Sequence, residues 1–167
     1  ATGAPGAAQL EGWYLELTRL LLAEGFAVRV FTNGSPEDRD FVGVLEQRLR
    51  TLDGGGHLTF LDQRDPAGLC AHLAGFDVLV GYRMHAIIGA YAYGVPGVAL
   101  KWDRKLDSFM RSVGREPFLL DAAQAAPAEC VALVRRALRE GIPAAHHQTV
   151  LDEALADVGK VLPALAG

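Results

Sequence analysis

Short apolar runs that suit β-strands alternate along this chain with stretches whose apolar residues recur at helical spacing. A helix between successive strands places them side by side in a parallel sheet, because a hairpin connection would be much shorter. The apolar runs are FAVRVFT (26–32), HLTFL (57–61), DVLV (77–80), GVALK (97–101) and PFLLD (117–121). The sequence therefore predicts an α/β fold, a doubly wound parallel five-stranded sheet of Rossmann-like architecture.

Local signals mark where the helices begin and end. Ser35 and Asp103 are placed to cap helices, and Pro36 suits the first helical position. Gly94 suits the left-handed residue that ends a helix. A last helix over about residues 146–162 carries an apolar stripe. We expect this helix to pack against the sheet for most of its length, because a lone domain could not leave such a stripe exposed.

Length and composition indicate one domain with a real core. The chain has 167 residues, of which 50% are hydrophobic and 22% are charged, a balance that argues against disorder. Residues 1–8 are nearly all small, as in a linker, so the domain is expected over residues 9–167. The formal net charge of −4 lacks the excess of positive charge that is typical of nucleic-acid-binding domains.

The two cysteines and the lengths of the apolar runs indicate the compartment. Cys70 and Cys130 fall on apolar faces of predicted helices and match no metal-ligand spacing, which predicts reduced core thiols and a cytoplasmic location. No run approaches the roughly 20 apolar residues of a membrane-spanning helix. We therefore expect a protein that does not span a membrane.

Cations cluster in the loops after the third and fourth predicted strands. In a parallel α/β sheet, ligands bind outside the carboxyl ends of the strands. Arg83 and His85 lie there at the start of a helix, whose free N–H groups favour an anion. Lys101 and Lys105 follow the next strand. A solvated Arg beside a His also occurs in loops that bind nothing, so local chemistry leaves anion binding and a plain surface role open.

Other candidate sites carry weaker signals. The loop of Asn33, Gly34 and Ser35 faces the same predicted cleft, although a turn and a helix cap explain these three residues. The chain contains no glycine-rich dinucleotide motif, no phosphate-loop lysine, no zinc-protease motif and no serine-hydrolase motif. His57, His72 and the pair His146-His147 fit structural positions better than metal ligation.

The stretch from residue 77 to residue 109 resembles the hallmark region of the polysaccharide pyruvyl transferase family. The resemblance rests on the order of its parts, which are the apolar strand 77–80, Arg83-Met84-His85, Gly94-Val95-Pro96, the apolar strand 98–100, and Lys105 followed by Phe109. Met84 stands where leucine is common in the family. The close likeness covers about residues 75–121, and the rest agrees in its alternation of strands and helices.

The resemblance implies the donor-binding, C-terminal half of an enzyme whose two Rossmann-like domains enclose a cleft, as in GT-B glycosyltransferases. It implies phosphoenolpyruvate as donor, a sugar of a cell-surface polysaccharide as acceptor, and a pyruvate ketal as product. Arg83 and His85 correspond to the family's pair for donor binding and catalysis, and Lys105 to its following lysine. Since the chain is roughly half the family's length, we expect that an N-terminal acceptor domain is missing from it or was removed.

The residue types suit this chemistry. Arg83 can hold a phosphate or a carboxylate through a bidentate fork, His85 can exchange a proton at neutral pH, and Lys105 can neutralise departing phosphate. The scheme needs no metal and no cofactor. Two alternatives stay open: the nucleotide-sugar half of a GT-B glycosyltransferase, with Asp103 or Asp107 binding the ribose, and a non-catalytic binding domain.

Overall fold

Strands and helices alternate in the predicted order in the computed structural model, which describes residues 6–32, 35–52, 55–61 and 65–165. The strands are β1 Val28–Val30, β2 Leu58–Phe60, β3 Leu79–Gly81, β4 Gly97–Leu100 and β5 Leu119–Leu120. The helices are α1 Ala7–Ala23, α2 Pro36–Leu49, α3 Pro66–Ala74, α4 Met84–Ala92, α5 Arg104–Ser112, α6 Pro127–Glu140 and α7 Ala144–Leu165, with a 3₁₀ turn at Glu116–Phe118. Each strand is shorter than the apolar run that predicted it, and β3 ends at Gly81, one residue beyond its run.

The strands pair in parallel, as predicted, but they form two hydrogen-bonded sheets. One sheet has the order β1-β2 and the other β3-β4-β5. Gly81 lies opposite Ala99 in the larger sheet. Val28 of β1 and Val80 of β3 pack against the same apolar cluster, so the two sheets share a core. Within the described residues, the five strands therefore form a parallel α/β arrangement without one continuous ladder.

Helices cover both faces of the larger sheet, which confirms the doubly wound arrangement. Val98 and Leu100 of β4 are fully buried on one face, in a cluster with residues of α1 and α6. Ala99 points to the other face, where residues of α3, α4 and α5 enclose it. The alternation along β4 explains why this strand is apolar throughout, since both of its faces lie in a core.

The helix ends predicted at Ser35, Gly94 and Asp103 are confirmed. The Ser35 side chain accepts a hydrogen bond of 3.2 Å from the Asp38 amide, and the Asp103 side chain accepts one of 2.9 Å from the Leu106 amide. Gly94 has a φ of 76°, a left-handed value that an L-residue rarely adopts. Ser35 and Asp103 thus fix the starts of the helices after β1 and β4, and Gly94 ends α4 before β4.

The prediction that both cysteines lie in the core is wrong for one of them. Cys130 is fully buried, whereas Cys70 is exposed, and both are free thiols. The inward face of α3 is set by Leu73, which is 2% exposed, together with the partly buried Leu69 one turn earlier. Cys70 lies next to Leu69 in the chain and so points about 100° away from that face.

The prediction that the last helix packs back for most of its length is also wrong. His147 anchors α7, because its ring contacts the Tyr91 ring at 5.0 Å and its Nε2 lies 2.7 Å from the Tyr91 carbonyl oxygen. Residues 152–160 are all exposed, and Leu155 keeps 69% of its surface. The 22 residues of α7 extend about 33 Å, whereas the four residues of β4 span about 13 Å, so the sheet is too short to cover the helix. No helix in the described ranges combines the length and the apolar composition that crossing a bilayer requires.

Candidate functional site

The loops after β3 and β4 meet at the carboxyl edge of the larger sheet. Tyr82 follows β3 and Trp102 follows β4, and their rings stack with centroids 6.0 Å apart at an interplanar angle of 26°. The guanidinium carbon of Arg83 lies 5.8 Å from the centre of the Trp102 ring. Neighbouring parallel strands end at the same edge, which is why two loops about twenty residues apart in the chain come together.

Arg83 occupies the N-cap position of α4. Its backbone is extended, with a φ of −92° and a ψ of 122°, and no side chain caps this helix. The first N–H groups of an α-helix have no partner within the helix, and the helix dipole adds a partial positive charge there. The start of α4 therefore offers uncapped donors at the carboxyl end of β3.

The Arg83 side chain forms a bidentate ion pair with Asp38. Nε donates to Oδ2 at 2.9 Å and Nη2 donates to Oδ1 at 2.5 Å. This pairing with Asp38 raises the pKa of the guanidinium above its ordinary value. Nη1 makes no hydrogen bond to any described residue. One edge of the guanidinium fork is thus occupied and the other is available.

Asp38 comes from the first turn of α2, directly after the loop that follows β1. The ion pair therefore links the carboxyl ends of β1 and β3, which belong to different hydrogen-bonded sheets. The Arg83 side chain is 43% exposed and the Asp38 side chain 22% exposed. Arg83 is consequently paired in a half-open position at the predicted edge, and not behind the sheet.

The other predicted site residues lie at the same edge with fewer contacts. His85 is the second residue of α4 and Lys105 the second residue of α5; both are exposed, and neither pairs with another side chain in the part of the chain that the structure describes. Lys101 is exposed, and its Nζ lies 3.2 Å from an Asp107 carboxylate oxygen. Ser35 caps α2.

Two further predicted residues, Asn33 and Gly34, lie outside the described residues. The structure thus brings Arg83 into contact with the neighbouring loop, and it shows no direct contact between Arg83, His85, Lys101 and Lys105. All four residues lie at the carboxyl edge of the larger sheet.

Sequence reasoning missed the partners of Arg83. Asp38 is 45 residues away from Arg83 in the chain, and an acid in the first turn of a helix is already explained by the helix dipole. Tyr82 and Trp102 were inside the stretch that carries the family resemblance, but no spacing rule pairs them. Burial raises the pKa of Tyr82, and burial also raises that of Tyr14 on α1, so both phenols stay protonated.

The two carboxylates of the nucleotide-sugar alternative each make one contact within the domain. Asp103 caps α5 through the Leu106 amide, and Asp107 pairs with Lys101. Among the described residues, no three His, Cys, Asp or Glu side chains are grouped to hold a metal ion.

The chain is thus a doubly wound parallel α/β domain with cations and uncapped helix donors at one edge, which is a candidate site for an anion. The family described as Polysaccharide pyruvyl transferase matches residues 6–104, which is more than half of the chain. The chain therefore belongs to the polysaccharide pyruvyl transferase family, and it is similar to transferases that act on polysaccharides. The matched range includes Arg83 and His85 and ends one residue before Lys105. Neither the curated proteins nor the solved structures include a significant match.

Proposed function

We propose that this chain binds phosphoenolpyruvate at the edge formed by Arg83 and the start of α4, and that it serves as the donor domain of a pyruvyl transferase. Family membership supports a transferase of polysaccharides. The observation that carries the donor assignment is the position of Arg83 and His85 at an uncapped helix start, at the carboxyl end of β3.

Phosphoenolpyruvate carries a phosphate and a carboxylate, so its site needs two groups of donors. The N–H groups at the start of α4 supply one group, since a helix start binds oxyanions. The free Nη1 of Arg83 supplies the other, and the whole fork becomes available if Asp38 gives way. Arginine suits this role because its planar fork matches the geometry of both oxyanions.

The reaction converts phosphoenolpyruvate and two sugar hydroxyls into a pyruvate ketal and inorganic phosphate. The methylene carbon takes up one proton and becomes a methyl group. The central carbon loses the second bond of its C=C double bond and its bond to the phosphate oxygen, and it gains two bonds to sugar oxygens. One hydroxyl proton balances the methyl group, and the other leaves with the phosphate. A proton shuttle beside the donor is therefore required.

His85 is the residue we propose for that shuttle. Its imidazole is exposed on the first turn of α4, two positions after Arg83. An imidazole can give and take a proton near neutral pH. Lys105, exposed at the start of α5, is positioned to balance the charge of the departing phosphate.

Isothermal titration of phosphoenolpyruvate tests the donor site. We expect a saturable heat with the wild-type chain and at least a tenfold weaker association with Arg83→Ala, because the loss of a charged hydrogen bond costs about 1.5–3 kcal/mol. Arg139→Ala is the matched control, since Arg139 is an exposed arginine at the end of α6.

Equal heats for wild type and Arg83→Ala would refute the Arg83 site. A response to uridine or guanosine diphosphate without one to phosphoenolpyruvate would favour the glycosyltransferase alternative. Absence of both would favour a binding domain without catalysis.

We further propose that the acceptor domain belongs to a separate part of a longer, GT-B-like enzyme, and that the reaction serves the synthesis of a cell-surface polysaccharide. The free thiols of Cys70 and Cys130 fit a reducing compartment such as the cytoplasm.

A further inference from the structure

Trp102 is an exposed aromatic residue beside the proposed donor site. It lies in the loop between β4 and α5 with 42% of its surface accessible, whereas the other tryptophan, Trp13, is 7% exposed and donates its indole N–H to the Ala125 carbonyl. Leaving a large aromatic ring in water sacrifices the free energy that its burial would release. Trp102 is therefore an accessible aromatic surface beside the candidate site.

The indole is held in place before any ligand arrives. Tyr82 stacks on it at 6.0 Å, and the Arg83 guanidinium carbon lies 5.8 Å from its centre. Tyr82 is itself partly buried against the core cluster of α1 and α6. A rigid aromatic surface loses little conformational entropy on binding, which is why such residues anchor ligands.

The chemistry of this surface suits one face of a pyranose ring. The C–H bonds on that face carry a small positive charge, and the face of an aromatic ring carries a negative one. Polar groups accompany the indole. Lys101 precedes Trp102 in the chain and pairs with Asp107, and Arg83 pairs with Asp38. These groups can exchange hydrogen bonds with sugar hydroxyls at the rim.

A nucleobase would also stack on an indole, but it would need edge contacts as well. Asp103 caps α5 and Asp107 pairs with Lys101, and each of these contacts uses one carboxylate oxygen. The family, in contrast, acts on polysaccharides. The sugar ring is therefore the better-supported occupant.

We propose that Trp102, backed by Tyr82, is the platform on which a pyranose ring of the acceptor stacks beside Arg83. This inference rests on the proposed pyruvyl transfer, because it places the acceptor next to the donor. It assigns part of the acceptor site to this domain and leaves the remainder to the domain that completes the cleft.

Tryptophan emission offers a direct test, since the chain has two tryptophans and only one of them is exposed. In a Trp13→Phe variant all tryptophan emission comes from Trp102. We would titrate this variant with the methyl pyranosides of glucose, galactose, mannose and N-acetylglucosamine, each with and without phosphoenolpyruvate. A saturable change in emission with at least one glycoside is expected.

Substitutions at position 102 separate stacking from other effects, with binding followed by calorimetry. Trp102→Ala should weaken glycoside binding roughly five- to tenfold, and Trp102→Tyr should restore most of it because an aromatic face remains. Glycoside binding that is equal in wild type and Trp102→Ala would overturn the platform. So would an emission change with uridine or guanosine diphosphate and none with the glycosides.

The two proposals fail separately in these experiments. If wild type binds phosphoenolpyruvate but no glycoside perturbs Trp102, the platform is wrong and the donor site stands. If glycosides bind and phosphoenolpyruvate gives no heat, the donor assignment is wrong and the platform stands.

Discussion

Neutralising Asp38 should have opposite effects on stability and on anion binding. In the Asp38→Asn variant the guanidinium of Arg83 loses a bidentate carboxylate partner and gains an accessible fork. An anion that binds Arg83 in the wild type must either use Nη1 beside a negative charge or displace that charge. The variant removes both obstacles.

The geometry sets the size of both effects. An anion on Nη1 lies about 6 Å from the Asp38 carboxylate, and at this half-exposed position two unit charges repel each other by about 1 kcal/mol. Removing that repulsion should tighten binding about fivefold, and more for a dianion. Stability should fall by about 1 kcal/mol, because a partly exposed ion pair and a favourable charge near the start of α2 are both lost.

Calorimetric titration with phosphoenolpyruvate, and with inorganic phosphate as a simpler anion, measures the first effect. Urea unfolding measures the second. Asp40→Asn is the control, because it removes the same charge from an exposed position on α2. Weaker anion binding in Asp38→Asn than in Asp40→Asn would refute the reasoning and show that Asp38 positions Arg83 for the ligand.

Four further predictions concern the rest of the fold. Arg115→Ala should lower the free energy of unfolding in urea by about 3 kcal/mol, because the buried guanidinium packs 3.8 Å from the Phe118 ring centre and donates to a main-chain carbonyl. Arg115→Met should recover more than half of this loss, since methionine fills the same volume and removes two buried nitrogens that have no hydrogen-bond partner. An equal cost for the two variants would contradict this. Thiol labelling at pH 8 should modify Cys70 rapidly and Cys130 only on unfolding, because burial raises the pKa of the Cys130 thiol to about 12; two fast thiols would oppose it. Since an unfolded thiol ionises near pH 8.5 and the folded one near 12, stability should fall between those values by about 1.4 kcal/mol per pH unit from this group alone, and Cys130→Ala should remove that part of the slope. Truncation after Asp152 should leave the melting temperature within a few degrees, because the side chains at 152–160 are exposed; a large decrease would show that the end of α7 is docked.

Much of the fold follows from local signals. The strands and helices appear in the predicted order because each apolar run is bounded by residues that favour turns or helix caps. Ser35 and Asp103 cap helices through hydrogen bonds to amides three residues ahead, and such contacts depend on the neighbouring sequence alone. The carboxyl-edge position of Arg83 follows from the same local order.

The contacts that define the candidate site do not follow from local signals. Arg83 meets Asp38 only because β1 and β3 end close together, and Tyr82 meets Trp102 only because β3 pairs in register with β4. The division into two sheets and the exposed end of α7 are likewise set by strand lengths that apolar runs overestimate. Pairings over long sequence distances depend on register, which one sequence specifies weakly.

Charge compensation at the edge suggests how the site would select its ligand. The chain is acidic, with a formal net charge of −4, and two edge cations already have acidic partners: Arg83 with Asp38 and Lys101 with Asp107. The start of α4, with no side-chain cap, keeps its partial positive charge. A ligand with one anionic group can use that helix start but gains little from Arg83, because it cannot also compete with Asp38. A ligand with two anionic groups can bind the helix start with one and displace Asp38 with the other. The site should therefore prefer phosphoenolpyruvate to pyruvate by more than their difference in charge alone would produce.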